Sequence, residues 1–350
     1  MKKARIGITG VAHFHANHWM DAFKACSEVE FVGLWDKNPS RAAISAQEHE
    51  TQYFPDLKEL LARVDAVGIT SETMYHADLV ESAAAAGVHV LLEKPMAANL
   101  VECGRIYRAV KNSGITFMQS FPKRYDPINY RLKTILDDGE LGNIFLARFR
   151  HSNSIFLEMG DQARSSWFTQ PELSGGGILI DEGVHVLDLM DWFMGQPARV
   201  HASLSSATLG LQVEDTALAV FEFSNGAIAE VVTSNALSAA EDSVELYGRD
   251  GTAIISGVDL SSKNLAKPPF LRIHRRSDPA NEWVGIDAIT RFNQKDFHHQ
   301  GPLHFVKCLL HGEQPSLSID EGWKSIALVM AVYQSARTGQ TVDIEYHLPA

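Results

Sequence analysis

The sequence predicts an α/β domain built on a parallel sheet, followed by an α+β domain with a large, mostly antiparallel sheet. Three observations carry this. Up to about Ser120, short and uniformly apolar runs alternate with helical patterns. A parallel sheet covered on both faces needs that pattern, with the helices as right-handed crossovers. Beyond Arg124 the apolar runs lengthen and alternate with polar residues, with few helices between them. Finally, 350 residues is more than one hydrophobic core ordinarily holds, so the expected domains are residues 1–120 and 121–350.

In the first domain, Ala4–Thr9 is the opening strand, followed by a glycine turn and a helix from about His15 to Ser27. Phe31–Trp35 is the second strand, and Asn38-Pro39-Ser40 opens the next helix. Asp65–Thr70 is the third strand. The alanine-rich helix His76–Ala86 is stopped by Gly87, and Val88–Leu92 is the fourth strand. Asn99–Asn112 is helical up to Gly114, and Ile115–Gln119 is the fifth strand. In the second domain a helix near Pro127–Asp138 stops at Gly139. The strands are Phe145–Arg150, Ala198–Ser206, Thr216–Phe223, Ala227–Ser234 and Ser243–Gly248. Asn225-Gly226 is a hairpin turn, and Arg249-Asp250-Gly251 turns the chain into Thr252–Ile255. Glu321–Arg337 is a closing helix and Thr341–Tyr346 a last strand.

Composition narrows the function. With 45% hydrophobic and 21% charged residues, the chain is globular rather than disordered or fibrous. Its 31 basic and 43 acidic residues give a net charge of −12, so a nucleic-acid backbone is excluded as a partner. Cys26, Cys103 and Cys308 are odd in number and widely spaced, which indicates neither a disulfide framework nor a zinc cluster; the reduced cytoplasm is the default. Arg5 interrupts the opening apolar run and His13, His15 and His18 follow it, so no secretory segment is expected. No uncharged stretch is long enough to cross a bilayer, and no membrane partner is expected.

The first strand runs into Gly7-Ile8-Thr9-Gly10-Val11-Ala12-His13-Phe14-His15. A dinucleotide-binding fold sets its pyrophosphate at such a turn, on free N–H groups at a positive helix end. Gly10 fits the first glycine of the GxGxxG fingerprint; Ala12 and His15 replace the others. Read alone, this is equally a glycine-bearing strand-to-helix turn. Asp36 ends the second strand, where an acid can hydrogen-bond both ribose hydroxyls of NAD and repel the extra phosphate of NADP. Lys37 and Arg41 lie close by, so NADP stays possible. His13 is placed to meet the cofactor through its backbone N–H.

Two further segments suggest chemistry. Glu93-Lys94-Pro95 follows the fourth strand, at the sheet edge where open α/β folds bind ligands. A lysine there can polarise a substrate hydroxyl; the plain alternative is a surface lysine at a strand end. After Gly175-Gly176-Gly177, the residues Asp181, His185, Asp188 and Trp192 fall on one helical stripe. A histidine held beside carboxylates suits general acid/base work, and the alternative is the wet side of an amphipathic helix. His298 and His299 form a second histidine pair. All these histidines are read as helix-face or loop residues, and no metal is assigned.

These stretches together resemble the glucose-fructose oxidoreductase / inositol dehydrogenase (Gfo/Idh/MocA) family over nearly the whole chain. Glu93-Lys94-Pro95 matches its most specific short motif, and Val64–Val67 through His76 and Ala86–Leu92 lead into it. Arg124-Tyr125-Asp126-Pro127, Gly139–Gly142, the triple glycine with Asp181-x-x-x-His185-x-x-Asp188, and Ser335–Gly339 follow in the family's order. The resemblance implies a Rossmann domain binding NAD or NADP, and a C-terminal domain whose sheet carries the substrate site and an oligomer interface. It implies Lys94, Asp181 and His185 as catalytic residues: His185 takes the hydroxyl proton, Lys94 steadies the alkoxide, and Asp181 binds a neighbouring hydroxyl. It places Gly10, Ala12, His13, Phe14, Asp36, Lys37, Ser71, His76, Glu93, Lys94 and Trp167 at the cofactor. Arg124 is placed with the trio at the substrate, and Arg164, in the segment His151–Trp167 read as a substrate loop, would suit an acidic sugar. Glu72-Thr73 stand where many members have Pro-Asn, and Phe168 where arginine is common.

The function expected is therefore hydride transfer between a nicotinamide and a carbinol carbon of a sugar, cyclitol or related polyol, by a cytoplasmic homo-oligomer (a dimer or tetramer). Two alternatives stand beside it: an NAD-assisted glycosidase or lyase that oxidises its sugar transiently, and a non-catalytic nucleotide or ligand sensor. Net NADH release marks the first reading, and free sugar without NADH the second. A sensor has no need of all three catalytic residues.

Overall fold

The computed structural model describes residues 3–238, 242–258, 269–286 and 294–348. By packing, the chain groups into two units. One holds Met1–Pro122, Phe292–Ile326 and His347–Ala350; the other holds Lys123–Arg291 and Ala327–Tyr346. The single boundary read from the sequence, between 120 and 121, does not capture the return of Phe292–Ile326 to the first unit.

The first unit alternates as the apolar runs predict. Its elements are β1 (Ala4–Thr9), α1 (His15–Ala25), β2 (Val29–Trp35), α2 (Pro39–Glu48), α3 (Leu57–Leu61), β3 (Ala66–Ile69), α4 (His76–Ala85), β4 (His89–Leu92), α5 (Leu100–Ser113) and β5 (Phe117–Gln119). The five strands form one parallel sheet in the order β2-β1-β3-β4-β5. Ile6, Ile8, Val67, Ile69, Val90, Leu91 and Leu92 are fully buried, as strands covered on both faces must be. The Asn38 side chain accepts from the N–H groups of Ser40 and Arg41 and starts α2; Asn99 accepts from the Glu102 N–H and starts α5. Gly114, at φ +68, ends α5 in the left-handed conformation that glycine tolerates.

The second unit contains α6 (Pro127–Asp137), β6 (Ile144–Ser152), α7 (Ile155–Met159), α8 (Pro171–Ser174), α9 (Val184–Met194), β7 (Arg199–Ser205), β8 (Thr216–Glu222), β9 (Ile228–Ser234), β10 (Asp242–Gly248), β11 (Gly251–Val258), β12 (Leu271–Arg275) and β13 (Trp283–Gly285). Further along the chain come α10 (Gln294–His311), α11 (Ile319–Thr338) and β14 (Val342–Asp343). Nine strands make one sheet, β13-β12-β11-β10-β6-β9-β8-β7-β14. β6 and β9 run parallel at its centre, and the other described pairs are antiparallel. The predicted fold class is thus found in both sheets. α9 packs on β6 with Val184, Leu187 and Met190 fully buried. The sequence reading missed β12, β13 and α10, and the short helices α3, α7 and α8. α10 belongs to the first unit, where it packs on α1.

Candidate active site

In the first unit the carboxyl ends of the strands gather most of the residues singled out in the sequence. β1 lies between β2 and β3, so chain direction around the sheet reverses beside it, the point at which open α/β sheets bind ligands outside their strand ends. Gly10 leaves β1 at φ +82, a left-handed conformation. A Cβ there would lie 2.4 Å from the Ser71 Cβ and 2.5 Å from its Cα, so only glycine lets the β1 and β3 exits approach this closely. The turn is tied to both neighbours. Gly10 N–H donates to Trp35 O (2.7 Å), Val11 N–H to the Asp36 carboxylate (2.6 Å) and His13 N–H to Thr70 O (3.0 Å). The His13 N–H offered to a cofactor by the sequence reading is therefore committed to Thr70.

α1 begins just beyond, at His15, with Phe14 half exposed at its N-cap. No acidic residue lies in its first turn, and the Nδ1 of His13 takes the His15 N–H at 3.1 Å. The partial positive charge of a helix N-terminus suits a pyrophosphate.

Asp36 at the end of β2 is 2% exposed. Its carboxylate accepts from Val11 N–H (2.6 Å), Asn38 N–H (2.7 Å), Arg41 Nε (3.1 Å) and Arg41 Nη2 (2.8 Å). Arg41 Nη2 also donates to Glu72 Oε1 at 2.8 Å. Two carboxylates outweigh burial and keep the guanidinium pKa above its ordinary value. The Lys37 ammonium sits 3.5 Å over the ring of Tyr75.

At the end of β4, Glu93 is fully buried and Lys94 is 2% exposed. A side chain that long and charged is rarely desolvated without a task. His76, also buried, aims Nδ1 at the carbonyls of Pro95 (3.0 Å) and Met96 (3.3 Å). Its ring is spent on pinning the loop that carries Lys94, and burial holds its pKa below the usual value against those carbonyl acceptors.

His15 Nδ1 lies 3.1 Å from Glu93 Oε1, and the His298 ring stands 4.0 Å from that of His15. Burial first, then the charges of His15 and Lys94, push the His13 pKa well down and keep its ring neutral. His13, His15 and Glu93 bring one ligand atom each within 4.8 Å of the others. However, His13 Nδ1 already accepts a backbone N–H, so in the neutral ring the other nitrogen carries the proton and offers a cation no lone pair.

In the second unit the triple glycine leads into the Asp181–His185 segment. Gly177 has no room for a side chain: a Cβ would lie 2.1 Å from Glu214 O. The half-buried Glu214 carboxylate accepts from Gly177 N–H (3.0 Å), Leu179 N–H (3.1 Å) and Tyr333 Oη (2.8 Å). Burial raises the Glu214 pKa against those bonds. Sequence periodicity treats this stretch as one α-helix. The structure instead winds Leu179–Gly183 as a π-turn before α9, which sets Asp181 and Glu182 out of register with the α-helical stripe.

His185 is buried on α9, and the His151 ring meets it edge-on at 6.0 Å. His151 donates from Nδ1 to Asp242 (2.8 Å) and from Nε2 to Glu182 (2.7 Å). Burial and Lys123 press its pKa down, and the two carboxylates more than offset them, so the pKa is raised and the ring favours its charged form. Sequence reasoning missed this array. Asp242 is 91 residues from His151, and no local pattern joins them.

The structure commits two of the proposed substrate residues elsewhere. Arg124 makes a two-pronged pair with Asp188 (2.8 and 2.7 Å), and the exposed Arg164 turns to the carbonyls of Gly210 and Leu209. The Trp167 ring stacks on Phe168 at 3.9 Å. A hollow of about 550 Å3 lies at the amino edge of the parallel sheet, by Ala4, Asp65, His89 and Leu309–His311. That is the edge opposite the strand ends, so it is no cofactor crevice.

Comparison with known proteins agrees with the fold. Residues 4–121 match the family model described as "Oxidoreductase family, NAD-binding Rossmann fold", and residues 130–254 the one described as "GFO/IDH/MocA C-terminal domain". D-apiose dehydrogenase of Paraburkholderia graminis is 27% identical, over 99% of this chain and 91% of its own length. Inositol 2-dehydrogenase 2 of Saccharopolyspora erythraea is also 27% identical, over 97% and 95%. A levoglucosan dehydrogenase solved with NADH and levoglucosan has a TM-score of 0.86 at 22% identity, covering 99% of this chain and 100% of that one.

Proposed function

The chain belongs to the Gfo/Idh/MocA oxidoreductase family, and we propose that it transfers a hydride between a nicotinamide cofactor and a carbinol carbon of a sugar, cyclitol or related polyol. Its relatives are named as dehydrogenases of such compounds. The observation that carries the reading is the desolvated Lys94 at the carboxyl end of β4, at the edge that the Gly10 turn and the open end of α1 prepare for a dinucleotide.

The cofactor supplies the hydride acceptor. The chain's own residues do the rest. Gly10 gives the backbone close approach, and the N-terminus of α1 receives the pyrophosphate. The Ala12 and Phe14 backbone, Ser71, Glu93 and Trp167 complete the binding surface, and Asp36 holds the local charge negative, which favours NAD over NADP. His76 fixes the loop on which Lys94 stands. Lys94 polarises the substrate oxygen and stabilises alkoxide character as it grows. His185 accepts the hydroxyl proton, and Asp181 binds the neighbouring hydroxyl. Each positioned proton-transfer group contributes about 10²–10⁴-fold. In this reading residues 1–120 bind cofactor, and residues 121–350 bind substrate and mediate assembly. Titration with NADH and NADPH, then a sugar and polyol panel read by NADH formation, tests it. Sugar conversion without net NADH would favour the transient-oxidation alternative.

A second copy of this chain is proposed to cover the nine-stranded sheet. Leu146, Leu218 and Ile228 are exposed on it at 37%, 43% and 44%, beside the Arg148–Glu230 pair. Light scattering of wild type and Leu218→Glu reads this directly; a monomeric wild type would refute it. Among the described residues no helix is long and apolar enough to cross a membrane. All three cysteines are free thiols, which fits the proposed reducing cytoplasm.

A further inference from the structure

A carboxylate has about four lone-pair positions, two on each oxygen. On Asp36 all four are filled from within the chain. Oδ2 takes Val11 N–H and Arg41 Nε; Oδ1 takes Asn38 N–H and Arg41 Nη2. Asp36 is buried and has no acceptor to spare for a ribose diol unless Arg41 leaves.

Glu72, just past the end of β3, is different. It is 8% exposed, Oε1 holds Arg41 at 2.8 Å, and Oε2 is buried with no hydrogen-bond partner. A buried carboxylate oxygen without a donor costs roughly 1–3 kcal/mol or more, so its position suits an incoming O–H or N–H.

We propose that Glu72 is the specificity residue of the nucleotide site. Its Oε2 accepts the adenosine ribose hydroxyl, while its Oε1, with Asp36, clamps Arg41 away from service as a phosphate binder. This rests on the reading that a dinucleotide binds at the Gly10 turn. The local charge is one guanidinium against two carboxylates, a net −1 facing the point where NADP carries an extra phosphate. The neighbouring cation, Lys37, is occupied by the Tyr75 face. Glu72 thus both attracts the ribose hydroxyl and repels the phosphate, and it does so in place of the Pro-Asn pair common in the family.

The test is fluorescence titration of the full chain with NADH and with NADPH. Wild type should bind NADH more tightly. Glu72→Gln removes one negative charge and loosens Arg41, so the NADPH-to-NADH affinity ratio should rise at least about tenfold, most of it from tighter NADPH. In Glu72→Gln combined with Arg41→Met that gain should vanish, because the guanidinium that takes the phosphate is gone. Glu72→Asp keeps the charge and withdraws the oxygen by one methylene; it should weaken NADH without helping NADPH. Glu81→Gln, a carboxylate elsewhere in the unit, should change nothing. An unchanged ratio in Glu72→Gln, with wild type still binding NADH, overturns the role of Glu72 and leaves the cofactor reading intact. So does a ratio that moves only in Asp36→Asn. Failure of wild type to bind either nucleotide overturns both. If Glu72→Gln does not fold, the Glu72→Asp titration decides: undiminished NADH affinity there refutes the proposal.

Discussion

Lys94→Met removes one charge and keeps most of the side chain's length, so it isolates what the ammonium does. Lys94 is 2% exposed, and bulk water cannot stand in for the lost group. Removing a positioned electrostatic donor in a dry site costs about 10²–10³ in turnover, some 2.7–4 kcal/mol of transition-state stabilisation. Its burial argues for the upper part of that range. NADH should bind near normally, since the loss falls on the transition state rather than on the nucleotide.

A second readout reports on the charge itself. After burial and His15, the Lys94 charge is what holds the His13 pKa down. In Lys94→Met the His13 ring should titrate at higher pH in an NMR titration. Steady-state kinetics on the substrate that a polyol panel identifies, beside that NMR experiment, complete the assay. A turnover number near wild type, with the His13 titration visibly moved, would show that the charge is gone and was not needed. That result would refute the catalytic assignment of Lys94 and weaken those of Asp181 and His185.

Three other outcomes follow from the geometry. Gly10→Ala forces a Cβ to within 2.4 Å of Ser71 at a φ of +82, so NADH affinity should fall at least about tenfold, read by titration. Glu214→Gln turns an N–H2 toward one of the main-chain donors of Gly177 or Leu179, and should cost about 1–3 kcal/mol in denaturant unfolding and slow turnover together. His151 has a raised folded-state pKa, so its charged form stabilises the fold fully below its unfolded value of about 6.5. That contribution fades as pH rises through the raised folded value. Unfolding free energy should decline across that window in wild type, and His151→Asn should flatten the decline.

What the sequence disclosed was whatever local chemistry writes. Asn38 and Asn99 announce helix starts, and Gly87 and Gly114 their ends, because caps and left-handed residues act within a few positions of themselves. Gly10 and Lys94 were legible because both follow a recognisable strand. What stayed hidden depends on partners far along the chain. Arg41 meets Glu72 across 31 residues, and His151 meets Glu182 across 31 and Asp242 across 91. His298 reaches His15 only because α10 returns to α1. The π-turn at Leu179–Gly183 leaves no mark in a pattern of apolar residues, since its extra residue is absorbed in the winding rather than in the composition.

The parallel pairing of β6 with β9 sets an order of events during synthesis. In the finished sheet β6 lies between β9 and β10, and both are made long after it; Arg148 of β6 pairs with Glu230 of β9 across 82 residues. Until β9 leaves the ribosome, β6 has two bare edges, the kind of strand that joins foreign chains. The stretch that must be drawn across to let β9 dock contains the triple glycine, Asp181 and His185. Closing the centre of the sheet therefore also draws in the Asp181–His185 segment. It is a slow, long-range step, and a chaperone that shields β6 would protect the fold and the chemistry together.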